Sequence, residues 1–235
     1  MRLGAGWVLA GAVLVGSGCV AGGQGGKLEP YRAVVKDLPY TARTITTSNV
    51  RLANGRQVER EVSENVARNS QGFQWYKRSL DSRAGKVTWL VVWNPVNRTR
   101  SEWCSCQKVV YQKQFGEPMV ERPRPKPTED VAGAPAPAIH YAALPGKVLH
   151  GEDTEGLEYT RVVKAEGKDA KLTEKSWYAP SLHIVMLRKT DDPVRGASSF
   201  EVTELKKREP DPKLFELPKG YSVKTAGDSV EEQFE

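Results

Sequence analysis

The stretch "KVTWLVVWNPVN", residues 86–97, limits the fold more than any other part of the chain. Val87, Trp89, Val91 and Trp93 fall on one side of an extended backbone, with Leu90 and Val92 on the other. Alternating β-branched and aromatic residues read as a strand. A strand apolar on both sides must be covered on both faces, which places it centrally in a sheet. Asn94-Pro95 ends it, because proline has no N–H to give to a ladder.

The flanking sequence repeats this theme of short extended segments closed by turns. "VRLANGRQV" centres on Asn54-Gly55, the strongest local hairpin signal in the chain. Val58, Val62 and Val66 then share one face of "RQVEREVSENVAR", "NSQG" turns, and Phe73 and Trp75 share a face of "FQWYKRSL". "RTRSEWCSCQKVVYQ" reads as one further strand. Beyond residue 150, "GLEYTRVVKA", "KLTEKSWY", "LHIVMLRK" and "SSFEVTELKKRE" continue the pattern, and "DPKLF" is a helical turn with Asp211 as cap and Pro212 at the first position. Long amphipathic helices are scarce. Consecutive strands with such short turns imply an antiparallel meander.

The meander is interrupted at residues 116–138, "GEPMVERPRPKPTEDVAGAPAPA", a proline-dense segment that favours extended polyproline conformation and reads as an exposed excursion. At the N-terminus, Arg2 precedes an apolar run from Trp7 to Val15 and then small residues, the layout of a secretory signal over 1–18. Gly16-Ser17-Gly18-Cys19 resembles a bacterial lipobox, with Gly16 where leucine is usual, which makes Cys19 the candidate lipid anchor. Residues 19–30 are Gly-rich and suit a tether, residues 31–224 form a single β domain, and 225–235 an acidic tail. The formal charge of +6 is uneven, with residues 27–126 carrying a net +10 and 127–235 a net −5. Such asymmetry suits an anionic surface or internal neutralisation. An exported chain without a recognised binding motif gives no support for nucleic-acid recognition.

The run "EKSWYAPSLHIVMLRKTDDPVRGASSFEVTELKKREPDPKLFELPKGYSV", residues 174–223, resembles the C-terminal part of a group of exported, mostly uncharacterised bacterial envelope proteins. "ARNSQG" and "VVWNPVNRT" resemble the same group. More distantly, the "WNP" turn and the ending in Phe215, Leu217-Pro218 and Gly220-Tyr221 are similar to the lipoprotein-carrier superfamily typified by LolA and LolB. That resemblance implies a mostly β fold, a curved antiparallel sheet left open as a half-barrel, with a concave face that holds acyl chains under helices. No set of lid helices is legible here, and the proline-rich excursion stands where additional cover is expected.

Candidate site residues follow from these readings. Phe73, Trp75, Trp89, Trp93 and Trp177 are the aromatic residues available to line a hydrophobic cavity on such a sheet, and each equally suits a core. Cys104 and Cys106 are a candidate disulfide or thiol pair. Residues two apart in a strand have alpha carbons roughly 6.7 Å apart, so a bridge between them requires a bulge or turn. A thiol-dependent redox or copper-handling role is the alternative for this pair. His140, His150 and His183 lack metal-ligand spacing, and His183 sits in an apolar strand. No serine elbow, zinc helix motif or phosphate loop occurs, so no catalytic residue, metal or cofactor is assigned. The expectation is a non-catalytic, membrane-tethered envelope protein that binds a lipid or other hydrophobic ligand. The rival is a structural or interaction protein engaging partners through its proline-rich arm.

Overall fold

The computed structural model describes residues 28–51, 56–82, 85–128, 139–165 and 167–225. The signal-like segment, Cys19, the Asn54-Gly55 turn and the acidic tail from residue 226 lie outside the described residues. Among the described residues, twelve strands form one open, curved sheet that does not close into a barrel. They are β1 (Tyr40–Arg51), β2 (Gln57–Arg68), β3 (Gln74–Ser82), β4 (Gly85–Asn94), β5 (Thr99–Cys104) and β6 (Val109–Gln114) in the first half. The second half comprises β7 (Ile139–Leu149), β8 (Glu152–Ala165), β9 (Lys168–Ala179), β10 (Ile184–Asp192) and β11 (Gly196–Lys206), with β12 (Ser222–Thr225) last. Their spatial order is β12-β6-β5-β4-β3-β2-β1-β11-β10-β9-β8-β7. Two sequential antiparallel meanders are therefore fused where β1 pairs with β11, and the parallel pairing of β12 with β6 extends one edge.

The turns show why the chain reverses where it does. At 69–73, the Asn69 side chain accepts from the Phe73 N–H at 2.9 Å and Gly72 takes φ 87°. A Cβ on Gly72 would stand 2.7 Å from a Val34 methyl, so glycine serves both the turn and the close packing above it. "NPVNR" and "DPVRG" build the same turn in the two halves. Asn94 Oδ1 accepts from the N–H groups of Val96 and Asn97, and Asp192 Oδ1 accepts from those of Val194 and Arg195. The last residue of each takes positive φ, 53° at Arg98 and 93° at Gly196.

Register assigns each side chain to a face. Tyr40 pairs with Arg68, Gln74 and Trp93 in turn, and Ala42 with Val66, Tyr76 and Val91, so these share what we call the strapped face. Ala67, Trp75 and Val92 share the opposite face. Each face of the first half has its own apolar core. On the opposite face, Ala67, Trp75, Val92, Trp103 and Val110 pack beneath Leu214, Phe215 and Tyr221 of the C-terminal segment. Asp211 caps the 3₁₀ turn Pro212–Phe215, accepting from the Lys213 N–H at 3.0 Å. On the strapped face, Ala42, Val66 and Val202 pack with Met186 and Leu182 around the β9–β10 turn.

The strapped face is named for residues 116–128. The chain must pass from β6, near one edge, to β7, the far edge, across ten strand spacings, up to roughly 48 Å. The crossing is complete by Thr128, which already bonds to Tyr141 of β7. Pro118 forms a bridge with Tyr31, Glu121 meets His183, Arg124 meets Tyr178 and Glu155, and Thr128 exchanges hydrogen bonds with Tyr141. Residues 116–128 thus cross the face as an exposed strap pinned along its length.

Four details correct the sequence expectations. Residues 99–114 form two strands and a turn, where the run 98–112 reads as one strand. Ile139–Leu149 is an edge strand, although the sheet pattern was expected to resume only at Gly156. His183 lies in the turn before β10 with φ 53°, outside the strand assigned to it. Ser222–Thr225 adds a strand where the domain was expected to end and the tail to begin.

Candidate functional site

The strapped face divides along its strands into a covered and an open half. The covered half lies at the ends marked by Tyr40, Arg68 and Trp93. There the N-terminal arm, residues 28–39, lays Tyr31 edge-on against Trp93 and Phe115, with ring centroids 5.6 and 5.9 Å away. Arg32 stacks 4.9 Å over Trp93 and donates to the Tyr76 hydroxyl. Arg68, only 2% exposed, donates to the backbone carbonyls of Leu38 and Leu182 and lies 4.9 Å over the Tyr40 ring. One guanidinium therefore ties the arm to the β9–β10 turn. Burial lowers the Arg68 pKa, opposed by the phenols of Tyr40, Tyr76 and Tyr178 and by Glu121. Burial also pushes Tyr40 up to about 12, reinforced by Tyr76 and opposed by Arg68 and Arg32. The Tyr31 hydroxyl is buried with no hydrogen-bond partner among the described residues, and burial raises its pKa further still. At the rim of this half, the buried Glu152 carboxylate accepts from Lys207 at 2.6 Å and from the Ser181 hydroxyl, and these bonds hold its pKa below the usual range.

The open half lies toward the opposite strand ends of β3, β2, β1, β11 and β10, away from these contacts, while the end of the strap reaches the same rows only at the far edge, over β7 and β8. Successive strands place Arg78 on β3, Arg60 and Val62 on β2, Thr46 and Ser48 on β1, Phe200 and Ser198 on β11, and Arg188 and Thr190 on β10. All are half-buried. A small cavity of about 30 Å³ is lined by Thr46, Ser48, Arg60, Val62 and Arg78. Arg78 is paired with Glu64 at 2.6 Å, and the Arg188 guanidinium lies 5.8 Å from the Phe200 ring centroid. A second, more open cavity of about 290 Å³ lies under the end of the strap, between Arg124, Pro125, Lys126 and Pro127 and the β7–β8 pair.

The five aromatic candidates divide between the faces. Trp89 and Trp93 lie on the strapped face, Trp89 toward the open half and Trp93 beneath the arm. Phe73 and Trp75 lie on the opposite face, Trp75 in the core and Phe73 edge-on to Phe215 at 5.9 Å. Trp177 also lies on the opposite face, its indole N–H donating to the Pro145 carbonyl at 3.0 Å and its ring capped by the Lys147 ammonium at 3.9 Å. The structure therefore does not bring the five into one cavity. The half-buried arginines and hydroxyls of the open half were missed. Their period-two spacing in "TTS", "RQVEREV" and "LRKT" was visible, but nothing local joins the segments.

Cys104 and Cys106 are joined by a disulfide with alpha carbons 5.2 Å apart, Cys104 ending β5 and Cys106 entering the turn to β6. Cys104 is wholly buried and Cys106 exposed. Attack by an external thiolate at Cys106 would expel a thiolate into the apolar interior, which disfavours rapid exchange. His183 Nδ1 lies 2.8 Å from Glu121 and His150 Nε2 2.7 Å from the Val202 carbonyl. Among the described residues no group of three or more His, Cys, Asp or Glu side chains could hold a metal ion.

The fold is thus that of an open single-sheet half-barrel with segments laid across each face. No family model and no curated protein matches the sequence. Solved structures similar to it include a LolA superfamily protein from Nitrosomonas europaea, at 11% identity and a TM-score of 0.32, covering 78% of this chain and 92% of that one. A DUF1329 family protein from Desulfovibrio piger is similar at 10% identity and a TM-score of 0.32, covering 76% and 90%.

Proposed function

We propose that the protein is a non-catalytic binder of the bacterial cell envelope that takes a lipid or other hydrophobic ligand on the open half of its strapped face. One observation carries this reading. Val62 and Phe200 are only half-buried within that half, Phe200 at the margin of the core that holds Met186 and Val202, and the arm and strap contacts described above reach neither. A curved face that shelters apolar groups without covering them gains by removing them from water, at about 25 cal/mol per Å². The strap and arm act as partial cover in place of lid helices. The signal-like N-terminus supports export, and a lipidated Cys19 would tether the domain through its Gly-rich segment. A free proline-rich partner arm fits less well, since the strap is bonded to the sheet from Pro118 to Thr128.

Native mass spectrometry of protein matured in a bacterial envelope tests this reading. The expected result is a co-purifying lipid that survives mild ionisation and is lost on unfolding. A bare polypeptide from repeated lipid-rich preparations would transfer support to a structural or interaction role.

A further inference from the structure

Arg60 and Arg188 are both half-buried on the open half, and neither has a carboxylate partner among the described residues. Partly desolvated arginines are ordinarily neutralised by a carboxylate or phosphate, whose geometry the planar guanidinium matches. The two approach β1 from opposite sides. Arg60 lines the small cavity with Thr46 and Ser48, and Arg188 reaches over Phe200 on the strand next to β1. Arg60, Ser48, Ser198 and Thr190 form one cross-strand row, and Val62, Thr46, Phe200 and Arg188 the next, so the Ser48 and Thr46 hydroxyls on β1 stand between the strands that carry the two arginines. The carboxylates nearby are engaged. Glu64 is held by Arg78, and Glu174 accepts from Thr190 on the far side of that row.

We propose that this patch is an oxyanion site for the phosphate of a lipid headgroup, bound by Arg60 and Arg188 with the hydroxyls of Thr46 and Ser48. The inference rests on the open half being the ligand surface and adds the chemistry of the headgroup. Val62 and Phe200 flank Thr46 in the row that also carries Arg188, and the glycerol and first chain carbons would rest on them beside the phosphate, which sets the register of the amphiphile. Arg78 closes the cavity on the far side, with its charge already balanced by Glu64.

The test compares two lipids with the same short chains, dihexanoyl phosphatidylglycerol and dihexanoylglycerol, kept below aggregation and titrated by calorimetry into the mature protein. The expected result is binding of the phosphate-bearing lipid tighter by roughly tenfold or more. An Arg60→Gln, Arg188→Gln double variant should bind both lipids at the level of the phosphate-free one. Thr46→Val, Ser48→Ala, which keeps both charges, should recover part of the preference. Equal affinity of the native protein for both lipids, or a preference that survives the double arginine change, overturns the headgroup assignment while leaving hydrophobic binding intact. If neither lipid binds, the underlying ligand surface fails too. Inorganic phosphate binding as tightly as the phosphate-bearing lipid would assign the patch to free phosphate and overturn the lipid headgroup.

Discussion

The two halves of the strapped face share strands and curvature but differ in how their cations are satisfied. In the covered half, Arg68 is buried against two carbonyls and a phenol ring, and Arg32 stacks on Trp93. In the open half, Arg60 and Arg188 are half-buried without a carboxylate. The first arrangement fastens the arm and the β9–β10 turn to the sheet, so its arginines belong to stability. The second leaves charge available to a ligand. Position within one face therefore separates two uses of the same residue type.

The comparison breaks first at Tyr31. Tyr31→Ala removes the ring that wedges between Trp93 and Phe115 and should cost about 4 kcal/mol in denaturant unfolding. Tyr31→Phe deletes only a buried hydroxyl that has no hydrogen-bond partner among the described residues, so it should leave stability unchanged or raise it. Arg68→Met strands the Leu38 and Leu182 carbonyls and should cost about 3 kcal/mol, read in the same experiment, with the arm becoming protease-sensitive.

At the rim, Glu152 supplies a pH dependence. Its pKa is lowered in the folded state, so its stabilisation is complete above the ordinary glutamate range near pH ~4.3 and is lost as pH falls through the lowered value. Glu152→Gln should cost about 2 kcal/mol at neutral pH and flatten the acid limb of stability against pH. The smallest effect belongs to the open half. Arg60→Gln and Arg188→Gln should each change stability by no more than ~0.5 kcal/mol, measured by thermal melting, because neither breaks an ion pair within the fold. A larger loss at either position would erase the distinction between fastening and ligand-binding arginines.

Much of the fold was legible because it is local. The alternation in 86–94 placed Trp89 and Trp93 on one side of β4 and Val92 on the other, and the Asn94 and Asp211 side chains mark their turns directly. β7 escaped because Pro145 and Gly146 interrupt its alternation at a bulge, where the register shifts between Leu144 and Lys147. The β5–β6 hairpin escaped because its turn is short, polar and closed by the Cys104–Cys106 bridge, without a glycine or proline to mark it. The site was the least legible part. Trp75 could be grouped with Trp93 only by knowing the β3–β4 register, and the structure pairs Trp75 with Val92 instead. A shift of one residue moves every side chain to the other face, so sequence parity within a strand cannot say which strands share a surface.

Local residue patterns suffice for an antiparallel β chain with β4 inside the sheet, a capped C-terminal turn and a proline-rich segment unsuited to a core. Each of these depends on side-chain alternation or on the chemistry of neighbouring residues, which act over a few positions. Tertiary contacts alone account for the pairing of β1 with β11, for the passage of residues 116–128 across one face as a strap, and for the placement of Arg60 and Arg188 on one half of that face. Those outcomes join residues from tens to more than a hundred positions apart, through ladder register and packing that no local pattern encodes.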